Sequence, residues 1–234
     1  MSLVLSLFPG IGLLDMAFEE EGFCVVRGPD LLWGGDIRRF HPPAGKFAGV
    51  IGGPPCQLFS GLNNLARSQG VEFVDLIPEF ARVVKAALPS WFLMENVPAA
   101  PIPDIPSYGC SSHIVQNRYL GEIQSRRRRF TFGTRFVCAR PWRFIEWAAL
   151  EAMDWEPAVT AAHAGERRVH NNGNPKIRRY RPDEAARLQG LPESFLADAP
   201  LTQQGRLKVI AQGVPPPMGR AIARAVKRAL AANR

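Results

Sequence analysis

A cysteine that follows two glycines and two prolines is the residue of this sequence best suited to chemistry. The apolar run Phe47–Ile51 predicts a buried strand, and the Gly-Gly-Pro-Pro segment that follows ends it in a stiff turn. Cys56 is then expected at the carboxyl end of the strand, where open α/β sheets place their sites. A thiol held there is a candidate nucleophile, and the alternative is a buried, unreactive cysteine.

Two charged features could take part in the same reaction. Glu95 follows the apolar run Trp91–Met94, and an acid at the end of a buried strand is costly unless it is paired or functional. A run of four arginines begins at Arg126, and alternation along a strand puts Gln124, Arg126 and Arg128 on one face. That face could bind a phosphate or a base edge. The alternatives are a structural anchor for the acid and a solvated basic patch for the arginines.

A glycine turn near the N-terminus predicts a ligand site. Val4–Phe8 is predicted as a strand, residues 9–12 (Pro-Gly-Ile-Gly) as a turn and Leu13–Glu21 as a helix, an arrangement that exposes backbone N–H groups at a helix start. The turn lacks the full GxGxxG spacing of dinucleotide folds, so a simple turn is the alternative. Asp30 and Asp36 follow at distances suited to later strand ends, where an acid could bind ribose hydroxyls or lie at the surface.

The elements that must position these residues alternate between strand and helix. Further strands are predicted at Phe23–Val26, Trp91–Met94 and Phe130–Phe132, and further helices at Phe73–Ala87, Asp183–Leu188 and Pro217–Ala232. This alternation predicts an α/β fold with a mostly parallel, doubly wound sheet. Residues 99–117 are expected to be irregular. The chain is expected to divide into one domain made of 1–132 with 181–234 and a small lobe at 133–180.

Composition narrows the class of protein and its partners. The chain has 234 residues, of which 46% are hydrophobic and 21% charged, as in soluble globular proteins. It shows no membrane-length apolar run and no basic signal segment, so no membrane partner is expected. The four cysteines lack metal-ligand spacing, which predicts no metal site and free thiols in a reducing, cytoplasmic compartment. The formal charge of +8 suits a polyanionic partner.

In their order along the chain, these motifs resemble those of the cytosine-C5 DNA methyltransferases. The resemblance rests on Phe8–Gly12, Gly35–Ile37, Pro54–Gln57, Glu95–Val97, Gln124–Arg128, Arg181–Pro192 and Gln212–Pro215. It covers nearly everything except 99–117 and 133–180. It implies a Rossmann-like, S-adenosylmethionine-dependent methyltransferase fold, with residues 133–180 as a very small target-recognition region.

The resemblance also implies a role for each motif. Cys56 would be the covalent nucleophile at C6 of a flipped cytosine, Glu95 would hydrogen-bond or protonate N3, and Arg128 with Arg126 would contact the base oxygen and a phosphate. The implied cofactor-binding residues are Phe8, Gly10, Ile11, Gly12, Asp30, Asp36, Ile37, Pro54, Gln212 and Val214. Supporting contacts to the DNA and its loops would come from Gln57, Ser60, Asn96, Val97 and Gln124.

Three departures from the family bear on these expectations. Gln212 stands where the family has asparagine, and Ile123 where a proline commonly precedes the motif glutamine. The lobe is also short, and because each base pair read needs about one bidentate side chain, we expect a target of about two to four base pairs. The candidate readers, for which loop or phosphate contacts are the alternative, are Arg167, Arg168, His170, Asn171, Asn172 and Asn174.

The sequence therefore predicts a monomeric DNA (cytosine-5)-methyltransferase that acts on double-stranded DNA in a prokaryotic or phage-infected cytoplasm. One alternative is an RNA cytosine methyltransferase of the transfer-RNA branch, whose Cys-Phe-Thr motif does not occur in this sequence. Another is a DNA-binding relative with a decayed site, against which the intact Cys56, Glu95, Arg126 and Arg128 argue.

Overall fold

The computed structural model describes residues 3–60, 68–135, 139–148, 155–160, 166–171 and 174–232. Its strands are β1 (Leu3–Leu7), β2 (Cys24–Arg27), β3 (Gly49–Gly52), β4 (Trp91–Asn96), β5 (Gly109–Gln116), β6 (Gln124–Ser125), β7 (Arg127–Thr134), β8 (Glu156–Pro157), β9 (Glu166–Asn171) and β10 (Asn174–Arg179). Its α-helices are α1 (Leu13–Glu20), α2 (Ile77–Ala87), α3 (Pro182–Leu188), α4 (Gln203–Gln212) and α5 (Pro216–Ala232). Short 3-10 helices lie at Leu31–Trp33, Ile37–Arg39, Asn117–Leu120 and Pro141–Phe144.

Six strands form the main sheet, in the order β2-β1-β3-β4-β7-β5. β1 pairs in parallel with β2 and β3, and β3 pairs in parallel with β4. β7 pairs antiparallel with both β4 and β5, so within this described sheet it runs against its neighbours. The carboxyl ends of β3 and β4 therefore meet the amino end of β7 at one edge. The predicted α/β fold with a mostly parallel sheet is confirmed.

Helices cover both faces of the sheet. Alternation along β4 sends Trp91 and Leu93 to one side and Phe92 and Met94 to the other. The first pair joins a core cluster that includes Phe18 of α1 and, from the long helix α5, Met218, Ile222 and Val226. The second pair joins a cluster with Phe80, Val83 and Val84 of α2. The two layers hold β4 rigidly, so residues at its end have fixed positions.

Most predicted elements are confirmed, with some ends shifted. Helix α2 begins at Ile77 rather than at Phe73, because Pro78 occupies its first turn, where a missing N–H costs nothing. Strand β5 lies inside the stretch 99–117 that was expected to be irregular, so that expectation is wrong for its second half. Helix α4 was not predicted from the sequence pattern, since only three of its ten residues are buried.

The region between β7 and α3 contains a stretch packed on the main sheet and a two-stranded hairpin. Trp142 and Ile145 are buried in the same core cluster as α5, so this stretch packs on the main sheet. β9 and β10 pair as an antiparallel hairpin that carries the candidate base readers Arg167, Arg168, His170, Asn171 and Asn174, while Asn172 lies outside the described residues. The division into two units remains a prediction. No helix in the described ranges is long and apolar enough to cross a bilayer.

Candidate active site

Cys56 lies in a turn that directly follows β3. Its carbonyl accepts the Ser60 N–H at 3.0 Å, which closes the turn. Asn96, the last residue of β4, donates from Nδ2 to the Pro54 carbonyl at 3.1 Å and accepts the Val97 N–H at 2.8 Å. The loop is therefore fastened to the neighbouring strand, and the half-buried thiol is held at the carboxyl ends of β3 and β4.

Glu95, next to last in β4, is paired with an arginine of the antiparallel strand β7. Arg128 Nε lies 2.8 Å from Glu95 Oε1, and the two side chains are only 16% and 11% exposed. A glycine in the preceding loop makes room for this carboxylate, because a β-carbon on Gly53 would lie 2.9 Å from Glu95 Oε2. The expected grouping of Glu95 and Arg128 next to the Cys56 loop is present in the structure.

The groups of this site influence one another's protonation. Burial is the largest effect on the Glu95 carboxyl and raises its pKa, although Arg128 and then Arg126 act to lower it. Burial also raises the pKa of the Cys56 thiol, against the lowering effect of Arg128. A potential nucleophile thus lies beside a carboxyl that retains its proton to higher pH than an exposed one, which suits addition to a ring with acid assistance.

Arg126 and Gln124 bind the ends of helices in this structure. Arg126 is 1% exposed, and its guanidinium donates to the carbonyls of Val159, Ala211 and Gly213 at 2.8, 2.7 and 3.1 Å. Gln124 Nε2 donates to the carbonyl of Leu188, the last residue of α3, at 2.9 Å. A tight turn, in which the Arg126 N–H donates to the Gln124 carbonyl at 3.1 Å, separates β6 from β7. The three motif side chains therefore have three different sets of partners, rather than one shared substrate-facing role.

The predicted glycine turn is present between β1 and α1. Phe8, Gly10 and Gly12 have φ angles of 55°, 57° and 81°, and the Gly12 N–H donates to the Pro9 carbonyl at 2.8 Å. Glycine suits positions 10 and 12 because L side chains rarely adopt such φ angles, which Phe8 nevertheless does here. A β-carbon on Gly10 would meet no atom within 4 Å, so the turn opens onto free space there. That opening at a helix start fits a ligand held by backbone groups.

Asp30 contacts the glycine turn directly. Its Oδ2 accepts the Gly10 N–H at 2.8 Å and its Oδ1 accepts the Leu32 N–H at 2.7 Å. Trp33, which is 71% exposed, donates from Nε1 to the Gly10 carbonyl at 2.7 Å. Sequence reasoning missed Trp33, for which the apolar Leu-Leu-Trp run in a glycine-rich loop was the available signal. The segment after β2 therefore sets the shape of the turn, and a ribose contact for Asp30 remains a prediction.

Asp36 and Ile37 begin a 3-10 helix after β2. Asp36 Oδ1 accepts the Arg38 N–H at 3.0 Å, and Oδ2 lies 2.8 Å from Arg38 Nη2. Hydrogen bonds from Arg38 lower the pKa of this carboxyl. Ile37 is buried in the core beside α2, and its carbonyl accepts a hydrogen bond from Arg82 Nη2 at 2.7 Å. Asp36 therefore keeps its negative charge at a fixed position near the surface.

The C-terminal segment returns to the glycine turn, as the resemblance implied. Val214 is buried, Gln212 is exposed, and a β-carbon on Gly213 would lie 2.4 Å from Leu13 Cδ1 at the start of α1. Ile11 packs in the same cluster as Leu13.

Of the residues expected to contact the DNA or its loops, Gln57 is exposed. Among the described residues, no three His, Cys, Asp or Glu side chains lie close enough to hold a metal ion.

Comparisons with known proteins identify the family of this chain. The family model of the C-5 cytosine-specific DNA methylases matches residues 34–101 and 146–228. The Type II methyltransferase M.NgoPII of Neisseria gonorrhoeae is 30% identical over 148 residues, which are 54% of this chain and 38% of that protein. The Type II methyltransferase M.HgiGI of Herpetosiphon aurantiacus is 41% identical over 122 residues, 43% of this chain and 94% of that protein. The match covers 38%, 52% and 32% of the first three curated relatives, so the chain spans about half of their length or less.

Solved structures share the fold over the full length. The S. pombe Dnmt2 methyltransferase aligns over 100% of both chains with a TM-score of 0.67 and 15% identity. Because that identity is low, the likeness establishes the architecture only. The family model spans more than half of the sequence and includes Cys56, Glu95 and the C-terminal motifs. The chain belongs to the C-5 cytosine-specific DNA methylase family.

Proposed function

We propose that this chain transfers a methyl group from S-adenosylmethionine to C5 of a cytosine in double-stranded DNA. The observation that carries the proposal is the placement of Cys56 beside the Glu95–Arg128 ion pair at the carboxyl ends of β3 and β4. Family membership supports the reaction class, and the charge of +8 supports a nucleic acid as the substrate.

Cys56 would act as the nucleophile. Its thiolate adds to C6 of the ring and forms an S–C6 bond. This addition makes C5 electron-rich enough to attack a methyl group, whereas C5 of free cytosine is a poor nucleophile. The thiol's raised pKa means that a base or the bound substrate must help remove its proton. The cytosine must leave the helix stack first, at a cost of roughly a few kcal/mol that phosphate contacts offset.

Glu95 and Arg128 would stabilise the charge that develops on the ring. As the S–C6 bond forms, negative charge moves toward N3, and a protonated Glu95 can donate a hydrogen bond or a proton there. Burial favours the protonated carboxyl, and the hydrogen bond that Arg128 Nε donates to Glu95 Oε1 fixes its position. After methylation, a base removes the C5 proton, the S–C6 bond breaks, and Cys56 returns as thiolate.

The glycine turn and the segments around it fit the cofactor that the family implies. S-adenosylmethionine would supply an electrophilic methyl group from its sulfonium sulfur and leave as S-adenosylhomocysteine. The open side of Gly10, the fixed carboxylate of Asp36 and the returning segment at Val214 are the features that would hold it. Asp30 accepts the Gly10 N–H and Trp33 donates to the Gly10 carbonyl, so the turn has its shape before a ligand arrives.

Methyl transfer to duplex DNA tests the proposal directly. Tritiated S-adenosylmethionine is incubated with the protein and cytosine-rich duplex DNA, and the product is mapped by bisulfite sequencing. We expect methylated cytosines in one short sequence context, of about two to four base pairs if each pair is read by one side chain. The Cys56→Ala variant should incorporate no tritium. Cys24→Ala, which changes a half-buried free cysteine on β2, is the matched control and should retain activity.

Transfer RNA serves as a second substrate in the same assay. Activity on transfer RNA with none on duplex DNA would overturn the DNA proposal in favour of the RNA branch. Cofactor binding without transfer to either nucleic acid would instead favour a non-catalytic relative. Equal activity of Cys56→Ala and the wild type would exclude Cys56 as the nucleophile even if DNA is methylated.

A further inference from the structure

Arg126 is the largest of the fully buried side chains in the described structure. Its Nη1 donates to the Val159 carbonyl at 2.8 Å, and its Nη2 donates to the carbonyls of Ala211 at 2.7 Å and Gly213 at 3.1 Å. These three acceptors come from two stretches far away in sequence. One precedes the β9–β10 hairpin, and the other is the end of α4 with the residue that follows it. A single guanidinium therefore connects both to the start of β7.

The acceptors explain why a cation is buried there. Ala211 lies in the last turn of α4, where backbone carbonyls have no partner within the helix and carry partial negative charge. Gln189 Nε2 donates to a neighbouring carbonyl of this turn, that of Ile210, at 2.7 Å. Gln124 likewise binds the last carbonyl of α3. Arg126 thus belongs to a set of side chains that satisfy helix ends behind the site.

The segment that Arg126 holds also contacts the cofactor turn. Gly213 packs so closely on Leu13 of α1 that a β-carbon would lie 2.4 Å from Leu13 Cδ1. Val214, a predicted cofactor residue, follows directly. On its other side, Arg126 is two residues from Arg128, whose guanidinium is paired with Glu95. A shift of Arg126 would therefore change the position of the glycine turn relative to the thiol and carboxyl.

We propose that Arg126 is a positioning residue that does not contact the base. It holds the segment 211–214, and through it the glycine turn, at a fixed position relative to the Cys56–Glu95 site. This inference rests on the proposed function, because it assigns the cofactor to that turn. A secondary effect follows from its charge, since Arg126 acts to lower the pKa of both Cys56 and Glu95.

Two substitutions at Arg126 separate its geometry from its charge. Arg126→Lys keeps the positive charge but cannot reach three carbonyls at once, and Arg126→Gln loses both features. We expect each to raise the dissociation constant for S-adenosylmethionine, measured by calorimetry, by about tenfold or more, since hydrogen bonds from a charged group are lost. Only Arg126→Gln should move the pH midpoint of Cys56 alkylation by iodoacetamide, and it should move to higher pH.

A third variant perturbs the same segment without touching Arg126. Gly213→Ala forces the segment away from Leu13, so it should weaken cofactor binding while leaving the alkylation midpoint unchanged. Gly205→Ala in helix α4 is the control, because a β-carbon there would lie 3.2 Å from the Thr202 hydroxyl, which needs to shift by only a few tenths of an ångström, and it should bind the cofactor as the wild type does. If Arg126→Gln gives no cooperative thermal transition, Arg126→Lys and Gly213→Ala still decide the question.

The outcomes distinguish this inference from the proposed function. Wild-type cofactor affinity in both Arg126→Lys and Gly213→Ala overturns the positioning role and leaves the methyltransferase proposal standing. Loss of DNA affinity in Arg126→Lys with unchanged cofactor affinity also overturns it, since that result marks a substrate contact. A wild-type chain that binds the cofactor but methylates nothing refutes the function, while the binding and alkylation shifts still support the positioning role.

Discussion

The carboxylate of Glu95 occupies the space that a side chain on Gly53 would need: a β-carbon there would lie 2.9 Å from Glu95 Oε2. The loop after β3 therefore packs closely against the end of β4 at this point. Because the opposite oxygen of Glu95 is held by Arg128 at 2.8 Å, the carboxylate cannot move away without disturbing that ion pair. The glycine before Pro54 therefore serves the geometry of the site rather than the folding of the strand.

We expect Gly53→Ala to reduce the rate of methyl transfer by about 10- to 100-fold, since a misplacement of about 1 Å at a reacting group has an effect of that size. Cofactor affinity should stay near the wild-type value, because the atoms that a β-carbon on Gly53 would meet within 4 Å belong to Glu95. Single-turnover assays and calorimetry measure these quantities, with Gly205→Ala as control. A large loss of thermal stability with an unchanged rate would contradict this reading.

The protonation of Cys56 should respond in opposite directions to its two charged neighbours. Arg128 lowers the pKa of the thiol and Glu95 raises it, while burial sets the overall upward shift. Arg128→Gln should therefore move the midpoint of Cys56 alkylation to higher pH, and Glu95→Gln should move it to lower pH. Peptide mass spectrometry after iodoacetamide pulses at a series of pH values reports the midpoint for Cys56 separately from the other cysteines. Shifts of the same sign in both variants would exclude the arrangement described here.

The sequence could predict the thiol and the carboxyl because both follow apolar runs that end at recognisable signals. Gly-Gly-Pro-Pro fixes where β3 stops, and Glu95 interrupts a buried strand, so both lie at the same edge of a parallel sheet. The glycine turn was predictable for the same reason. Local pattern and sheet geometry are sufficient when a functional residue lies directly at a strand end.

The sequence could not predict the direction of Arg126. Alternation assumes a regular strand from Gln124 to Arg128, but the turn at Arg126 interrupts it. The carbonyls that satisfy the guanidinium come from α4 and the loop after it, and α4 was not predicted because its polar sequence buries little surface. The partners of Asp30 were also hidden, since its contact to Gly10 spans 20 residues along the chain.

Asp30 should matter for the shape of the glycine turn. Asp30→Ala removes the acceptors of the Gly10 and Leu32 N–H groups, so we expect the cofactor affinity to fall about tenfold and the free energy of unfolding to fall by about 1–3 kcal/mol. Calorimetry and urea unfolding measure the two effects. Asp198→Ala, at an exposed acid in the loop before α4, should leave both quantities unchanged. Wild-type cofactor affinity in Asp30→Ala would show that the turn keeps its shape without this carboxylate.

Asp15 gives the fold a pH dependence of defined sign. Its buried carboxylate accepts from the Ser6 hydroxyl at 2.5 Å and from Arg27 Nε at 3.1 Å. Burial nevertheless raises its pKa, with Glu19 adding to the increase and Ser6 and Arg27 opposing it. The folded chain therefore holds this proton at pH values where the unfolded chain has released it. The contribution of Asp15 to stability is complete below about pH 4, the ordinary range of the carboxyl, and declines as the pH rises through the higher folded-state value.

Asp15→Asn cannot titrate, so the stability difference between the wild type and this variant should become smaller as the pH rises from 4 towards 7. Urea unfolding at a series of pH values measures that difference. Asp36→Asn is the opposite case, because hydrogen bonds from Arg38 lower the pKa of Asp36 and its contribution grows as the pH rises towards 4. A difference for Asp15→Asn that stays constant or widens with pH would mean that Ser6 and Arg27 outweigh the effect of burial, and that the carboxylate is charged throughout.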